Sequence, residues 1–271
     1  MKLSDVLEMV ACTDTGMIRS HNEDAVFADA ELGIALLADG MGGYKAGEVA
    51  SSMAMTVLSS NFGRLIPTLG AGVAGSVLAA EELLASEVAV ANSAIYNAAL
   101  RQPEYAGMAT TLVVAWFYDN RMIVGHLGDS RLYRLRSKHF EQLTRDHSLL
   151  QEQLDSGMIT VEDARYSGNK NLVTRGLGVA PVVETEIHDY DVQAGDIVLL
   201  CSDGLNDMLK DAEIALILQT FGGDLTLATA HLVNLANERG GRDNISVILV
   251  KIKGEYASSR VWWRKLLTGL K

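Results

Sequence analysis

The residues of this chain best suited to chemistry are four aspartates, Asp39, Asp129, Asp203 and Asp243, each beside Gly, Ser or Asn at an end of an apolar run. A carboxylate leaving the edge of a buried sheet costs desolvation energy unless positive charge meets it, so several converging on one edge imply bound cations. Oxygen-only, hard ligation of that kind suits Mg²⁺ or Mn²⁺. Taken singly, each has an ordinary alternative, because Asp-Gly is a common turn dipeptide whose side chain caps a backbone N–H. Other chemistries find less support. His21, His126, His139, His147, His188 and His231 show neither HExxH spacing nor a partner cysteine for zinc. Residues 40–43 (GMGG) form neither a GxGxxG nor a GxxxxGK[ST] loop, and no lysine stands where a phosphate-binding loop needs one. No EF-hand spacing occurs either.

Short strands bounded by turn formers must position these aspartates. Residues 33–38 (GIALLA) run into Asp39-Gly40, residues 121–127 (RMIVGHL) into Gly128-Asp129-Ser130, and residues 197–201 (IVLLC) into Ser202-Asp203-Gly204. The fourth case is reversed, with Arg242-Asp243-Asn244 opening residues 245–252 (ISVILVKI). Near-continuous hydrophobicity places most of these runs inside sheets. Residues 110–118 and 131–136 add two strands, and the turns at Asp119-Asn120 and Asp129-Ser130 favour antiparallel neighbours. Helices are predicted over 46–62, where Val49, Met53, Val57 and Leu58 recur at helical spacing, over 81–100, and over 224–239, closed by Gly240-Gly241. Residues 144–178 begin helically and turn polar through 166–171, which reads as an insertion with a mobile tip.

With 271 residues, 48% hydrophobic and 21% charged, the chain can bury a core, and its 3 prolines suggest no interdomain linker. The net charge of −11 argues against a nucleic-acid partner. Cys12 and Cys201 lack the number and spacing of a disulfide framework and read as reduced core residues. No signal peptide opens the chain, and the uncharged, apolar-looking Gly/Ala-rich stretch 69–80 falls short of the ~20 residues of a spanning helix, so a cytoplasmic location is expected. The last segment stands apart: residues 256–271 carry four basic side chains, no acidic ones and two of the three tryptophans. Such a helix can lie in a membrane interface, dock in a partner groove, or pack on the acidic body.

The company the aspartates keep is more specific. In order, residues 13–24 (TDTGMIRSHNED), 37–43 (LADGMGG) with 46–48 (AGE), 107–111 (GMATT), 128–131 (GDSR), 202–205 (SDGL) and 241–244 (GRDN) closely resemble the motifs of bacterial metal-dependent Ser/Thr protein phosphatases of the type 2C family. The resemblance spans roughly residues 8–252. It implies an α+β fold in which a central sandwich of two antiparallel β-sheets is flanked by α-helices on both faces, a four-layer αββα arrangement. A catalytic domain over 1–254 would carry a flap subdomain at about 146–178, followed by a basic Trp/Leu-rich tail at 255–271.

The resemblance also implies a site with two or three Mn²⁺ or Mg²⁺ ions, whose bridging water becomes the nucleophile. Asp39 would bridge two metals, Asp203 and Asp243 would complete one site, and Glu23 with the Gly40 carbonyl would serve the other. Asp129, sharing Asp203, would hold a third ion. Asp24 would stand behind the ligands, Asn244 would orient Asp243 or a bound water, and Arg19 would hold the phosphate through its planar fork. Two positions depart from relatives: Met41 stands where many eukaryotic members have a histidine, and Tyr44 where bacterial members often have one. The general acid is therefore unassigned; His126 and His147 are available, although a structural role suits them better. In the flap, Arg165, Tyr166, Lys170 and Arg175 are the candidate phosphoprotein contacts. The implied activity is hydrolysis of phosphoserine and phosphothreonine on proteins by a monomer, opposing a bacterial Ser/Thr kinase or serving one dedicated partner. Its rival is a pseudophosphatase that only binds phosphoproteins, which would be expected to lack a metal carboxylate; none is missing.

Overall fold

The computed structural model describes residues 2–43, 46–69, 77–164 and 172–256. Tyr44, Arg165, Tyr166, Lys170 and the tail from residue 257 lie outside the described residues. In chain order the strands are β1 (Leu7–Asp14), β2 (Asp24–Asp29), β3 (Ile34–Met41), β4 (Ala109–Thr110), β5 (Leu112–Tyr118), β6 (Arg121–Leu127), β7 (Arg131–Arg136), β8 (His139–Gln142), β9 (Glu186–Asp191), β10 (Ile197–Cys201) and β11 (Ile245–Ile252). They form two antiparallel sheets, one ordered β1-β11-β10-β7-β8 and the other β2-β3-β5-β6-β9, with β4 paired to the end of β3.

Side chains alternate across each strand, so the apolar runs feed two cores at once. In β5, Val113, Ala115 and Phe117 join the layer between the sheets, while Leu112, Val114, Trp116 and Tyr118 face helices. In β11, Ile248, Val250 and Ile252 point between the sheets and Ile245, Val247 and Leu249 point outward. Helices α2 (Ala46–Leu65) and α3 (Val77–Arg101), which follow a short α1 (Leu3–Val6), cover the outer face of the second sheet. The outer face of the first sheet is covered by α7 (Asp211–Phe221) and α8 (Leu225–Glu238). The result is the expected sandwich with helices on both faces. The segment between β8 and β9 carries α4 (Leu149–Asp155), capped by Ser148 Oγ accepting from Gln151 N–H at 3.2 Å, and α5 (Val161–Ala164). A one-turn α6 (Asp203–Asn206) follows β10.

Two details differ from the sequence pattern. In α2 the fully buried stripe is Ala46, Gly47, Ala50, Ser51, Ala54, Leu58 and Phe62, whereas Val49, Met53 and Val57 are only half-buried. Small residues let the helix lie close to β3, so bulk is a poor guide to its buried face. The second is α3, which is long and apolar enough by composition to span a membrane. It buries Leu84, Val88, Ala91 and Ile95 against the sheet, as a core helix does. At the other end, Tyr256 is buried among residues of the inter-sheet core, and its hydroxyl donates to the Arg121 carbonyl at 3.1 Å.

Candidate active site

The site forms where β3, β10 and β11 end side by side. Asp39 lies opposite Asp24 in the β2–β3 ladder. Its N–H donates to Thr111 Oγ1 at 2.9 Å, and its carbonyl accepts from Thr111 N at 2.9 Å and Thr110 Oγ1 at 2.8 Å. Thr111 Oγ1 also lies 2.7 Å from Ser130 Oγ, tying the Asp39 strand to the Asp129 turn. After Asp39 the backbone passes between others so closely that a Cβ on Gly40 would sit 2.2 Å from the Gly47 carbonyl oxygen. Likewise a Cβ on Gly204 would fall 2.0 Å from the Asn244 carbonyl oxygen, which presses the Asp203 turn against the Asp243 turn.

Asn244 organises the facing loop. Its Oδ1 accepts from Glu23 N at 2.8 Å, and its Nδ2 donates to the carbonyls of Thr15 at 2.9 Å and His21 at 3.0 Å. Residues 15–23, which carry Arg19 and Glu23, are thereby hung from the residue after Asp243. Behind them, Ser202 Oγ donates to Asp24 Oδ2 at 2.8 Å and accepts from Ser246 N at 2.9 Å. Sequence reasoning quoted the Thr110-Thr111 and Ser202 motifs but assigned these residues no role; hydroxyls next to a ligand-bearing turn were the available signal.

One cleft of about 220 Å³ gathers Arg19, Glu23, Asp39, Gly40, Asp129, Asp203, Asp243 and Asn244, with Met41, Thr111 and Val173 among its walls. Asp24 is buried behind it. Arg175 is described, exposed and not part of the lining.

So many carboxylates in one place repel each other and lose solvent. Burial, then the charges of Asp24, Asp203, Asp129 and Asp243, holds Asp39 well above the ordinary carboxylate range. Burial followed by Asp129 and Asp243 does the same to Asp203. Burial pushes Asp24 and Asp129 up to about 6, and raises Glu23 as well. Of the described residues lining the cleft only Arg19 is cationic, and it is spent on Asp243, with Nη2 2.7 Å from Oδ2. The other Asp243 oxygen accepts from Asn244 N at 2.9 Å. Elsewhere carboxylate oxygens are orphaned: Asp24 Oδ1, Asp203 Oδ1 and Glu23 Oε1 are buried with no hydrogen-bond partner among the described residues, although His21 Nε2 stands 3.5 Å from the last. The unpaired Asp203 and Glu23 oxygens, on mutually repelling carboxylates that line the cleft, are what divalent cations would satisfy, so the donor set fits hard metal ions.

Fold and cleft together define a helix-flanked β-sandwich with an acidic centre fit for divalent cations at one end. A family profile described as Protein phosphatase 2C matches residues 18–249, and the chain belongs to that family. It is 39% identical over 245 residues to the serine/threonine phosphatase Stp of Listeria welshimeri, covering 88% of this chain and 93% of that one. With the protein phosphatase PhpP of Streptococcus pneumoniae the identity is 37% over 263 residues, covering 93% and 100% of the two chains. Among solved structures, the catalytic domain of the serine/threonine protein phosphatase PstP in complex with two manganese ions superposes with a TM-score of 0.79 at 37% identity, over 91% of this chain and 98% of that one.

Proposed function

We propose that this chain hydrolyses phosphoserine and phosphothreonine on proteins, using two or three Mn²⁺ or Mg²⁺ ions held by Glu23, Asp39, the Gly40 carbonyl, Asp129, Asp203 and Asp243. The observation that carries the reading is the convergence of these carboxylates, with orphaned buried oxygens, on one cleft with Arg19 at its mouth. Bound divalent cations would supply Lewis acidity and a water ionised near neutral pH.

The chain's own residues do the rest. Asp39, whose backbone is held through Thr110 and Thr111, lines the same cleft as Glu23, Asp203 and Asp243, which supports its reading as the shared ligand. Asn244 keeps the Arg19 loop in place. Arg19, half-exposed, exchanges its Asp243 carboxylate for two phosphate oxygens, a bidentate task its fork suits. Among the described residues, Met41 has no proton to give and His126 and His147 do not line the cleft, so protonation of the leaving alkoxide is assigned to solvent there. The flap reading of about 146–178 is supported by Val173, which stands in the cleft wall, with the exposed Arg175 as a contact for substrate. The physiological setting is the cytoplasm of a bacterium, opposing a Ser/Thr kinase, with the protein acting as a monomer and the basic tail as the segment for docking on a partner or a membrane.

The deciding experiment is initial-rate hydrolysis of a phosphothreonine peptide by metal-stripped protein, with Mn²⁺, Mg²⁺, Ca²⁺ or no metal added back. Turnover with Mn²⁺ or Mg²⁺ that chelator abolishes is expected. Phosphopeptide binding without turnover under any metal would instead make the chain a pseudophosphatase. Arg19→Ala should lower kcat/KM about 10- to 100-fold, as removing a charge-assisted hydrogen bond does, with Arg19→Lys between it and the parent. Equal kinetics for all three proteins would remove Arg19 from the phosphate site.

A further inference from the structure

Outside the cleft, one buried cluster is built from imidazoles. His126 on β6 and His147 stack with ring centroids 4.2 Å apart and planes 30° apart. His147 Nε2 lies 3.0 Å from Glu186 Oε2 at the start of β9, and His188 Nε2 lies 2.8 Å from the other oxygen of Glu186. Two histidines and a carboxylate are a common zinc set. A metal must lie near the plane of each ring it binds, at about 2 Å from the nitrogen, however, and two rings stacked 4.2 Å apart with planes only 30° apart have no common point that close without turning.

The hydrogen bonds give these nitrogens a different task. Gly128 N–H donates to His147 Nδ1 at 3.3 Å, which leaves the His147 proton on Nε2, facing Glu186. The Gly128 carbonyl accepts from His147 N at 2.8 Å and from His126 Nε2 at 3.1 Å. Burial, then the neighbouring His147, brings His126 down to about 4, so it is neutral at pH 7. Gly128 is thus held on both sides, through the N–H of the peptide before it and the carbonyl of the peptide after it. It needs the grip: its φ is +104°, open to glycine and little else, and a Cβ there would fall 2.6 Å from Thr111 Cγ2. The next residue is Asp129. On its other side His147 ties down the segment between β8 and β9, since its carbonyl accepts from Thr174 N at 2.8 Å and Leu149 N donates to the Leu172 carbonyl at 2.9 Å. That base brings Val173 into the cleft wall.

We propose that His147 is a positioning residue: acting through the Gly128 peptide, it holds the Asp129 carboxylate in register with the base of the neighbouring segment and so sets the affinity of the cation site to which Asp129 contributes. The inference rests on the reading of Asp129 as a metal ligand. Groups that orient a ligand in this way typically change metal affinity 10- to 100-fold.

The test counts bound Mn²⁺ by electron paramagnetic resonance of the free ion, which needs no turnover, in the parent protein, Asp129→Asn, His147→Asn and His147→Gln. The Asn amide reaches the position of Nδ1 and can accept from Gly128 N–H, whereas the Gln amide reaches that of Nε2, meeting Glu186 but leaving the Gly128 N–H without its acceptor while the bonds to the Gly128 carbonyl persist. Asp129→Asn identifies the ions that depend on Asp129. His147→Gln should weaken those same ions about 10-fold or more, His147→Asn should keep them within about threefold, and His147→Gln should add nothing in the Asp129→Asn background. If His147→Gln does not fold, His147→Leu, which lacks both side-chain bonds, must show the loss. With Asp129→Asn weakening a class of ions, parent-like binding by His147→Gln, or binding by His147→Asn as weak as by His147→Gln, overturns the proposal alone. No change in Asp129→Asn would overturn the ligand reading of Asp129 and this proposal with it.

Discussion

Asp39→Asn is expected to abolish metal-dependent turnover, a loss on the order of 10³-fold in kcat, while the chain stays folded. Asparagine keeps the shape of the side chain, and the bonds that locate residue 39, to Thr110 and Thr111, are made by its backbone. What the substitution removes is a negative charge at the centre of the carboxylate group, where two cations would need it most. That charge is also a source of repulsion in the metal-free protein, since Asp24, Asp203, Asp129 and Asp243 all act on Asp39. The metal-stripped variant should therefore melt higher than the metal-stripped parent even though it is inactive. Steady-state kinetics at saturating Mn²⁺ and thermal melts of both stripped proteins check the two halves of this expectation. Retained activity would remove Asp39 from the metal centre, and a lower melting temperature would show that its charge is not under repulsion.

The second large effect is an inverted dependence of stability on pH. In the folded, metal-free chain Asp24 and Asp129 are raised to about 6 from an ordinary value of 3.8, and Asp39 and Asp203 are raised well above theirs. The folded state therefore binds more protons than the unfolded state across that interval, so stability is greatest below the unfolded values and falls as pH rises through the folded ones. A two-unit shift corresponds to about 3 kcal/mol, and because these groups share one field their joint contribution is on the order of several kcal/mol rather than a sum. About 0.8 kcal/mol of the Asp24 and of the Asp129 contribution is still present at pH 5.5 and gone at pH 8, with Asp39 and Asp203 adding in the same direction, so at about 2–4 °C per kcal/mol metal-stripped protein should melt several degrees higher at pH 5.5 than at pH 8. Saturating Mn²⁺, worth about 4 kcal/mol at a thousand times its Kd, should remove or reverse that slope. Ordinary paired carboxylates such as Asp155 and Asp191, which their arginine partners lower, pull the other way but cancel in the difference between loaded and stripped protein. A stripped protein whose melting temperature is flat or rises from pH 5.5 to pH 8 would mean that the carboxylates do not share one desolvated site.

Local patterns made much of the protein legible before any coordinates. The apolar runs of β5, β6, β10 and β11 and the turn formers that bound them are nearest-neighbour features, so the strands carrying Asp129 and Asp203, and the one that Asp243 opens, could be read directly. The edge strand β9 (EIHDYD) is half polar and half-buried, and β2 (DAVFAD) has an aspartate at each end, so neither shows a run or a clean alternation. The face that α2 lays on the sheet is made of small residues rather than bulky periodic ones, whereas α7 does carry Ile214, Ile217, Leu218 and Phe221 at helical spacing.

Tertiary pairing decided what stands next to what. Only the β1–β11 ladder, which sets Asp14 opposite Ile245, carries the loop with Arg19 and Glu23 to the start of β11 and makes the Arg19–Asp243 ion pair. Only the close approach of the Gly204 and Asn244 backbones brings Asp203 to Asp243. The grip of His126 and His147 on Gly128 likewise joins β6 to residues beyond β8. Residue types and turn spacing depend on neighbours along the chain and can be read one segment at a time. Charge repulsion, orphaned oxygens and shared hydrogen bonds arise only where segments far apart in sequence are packed within a few ångströms, and no single segment records them.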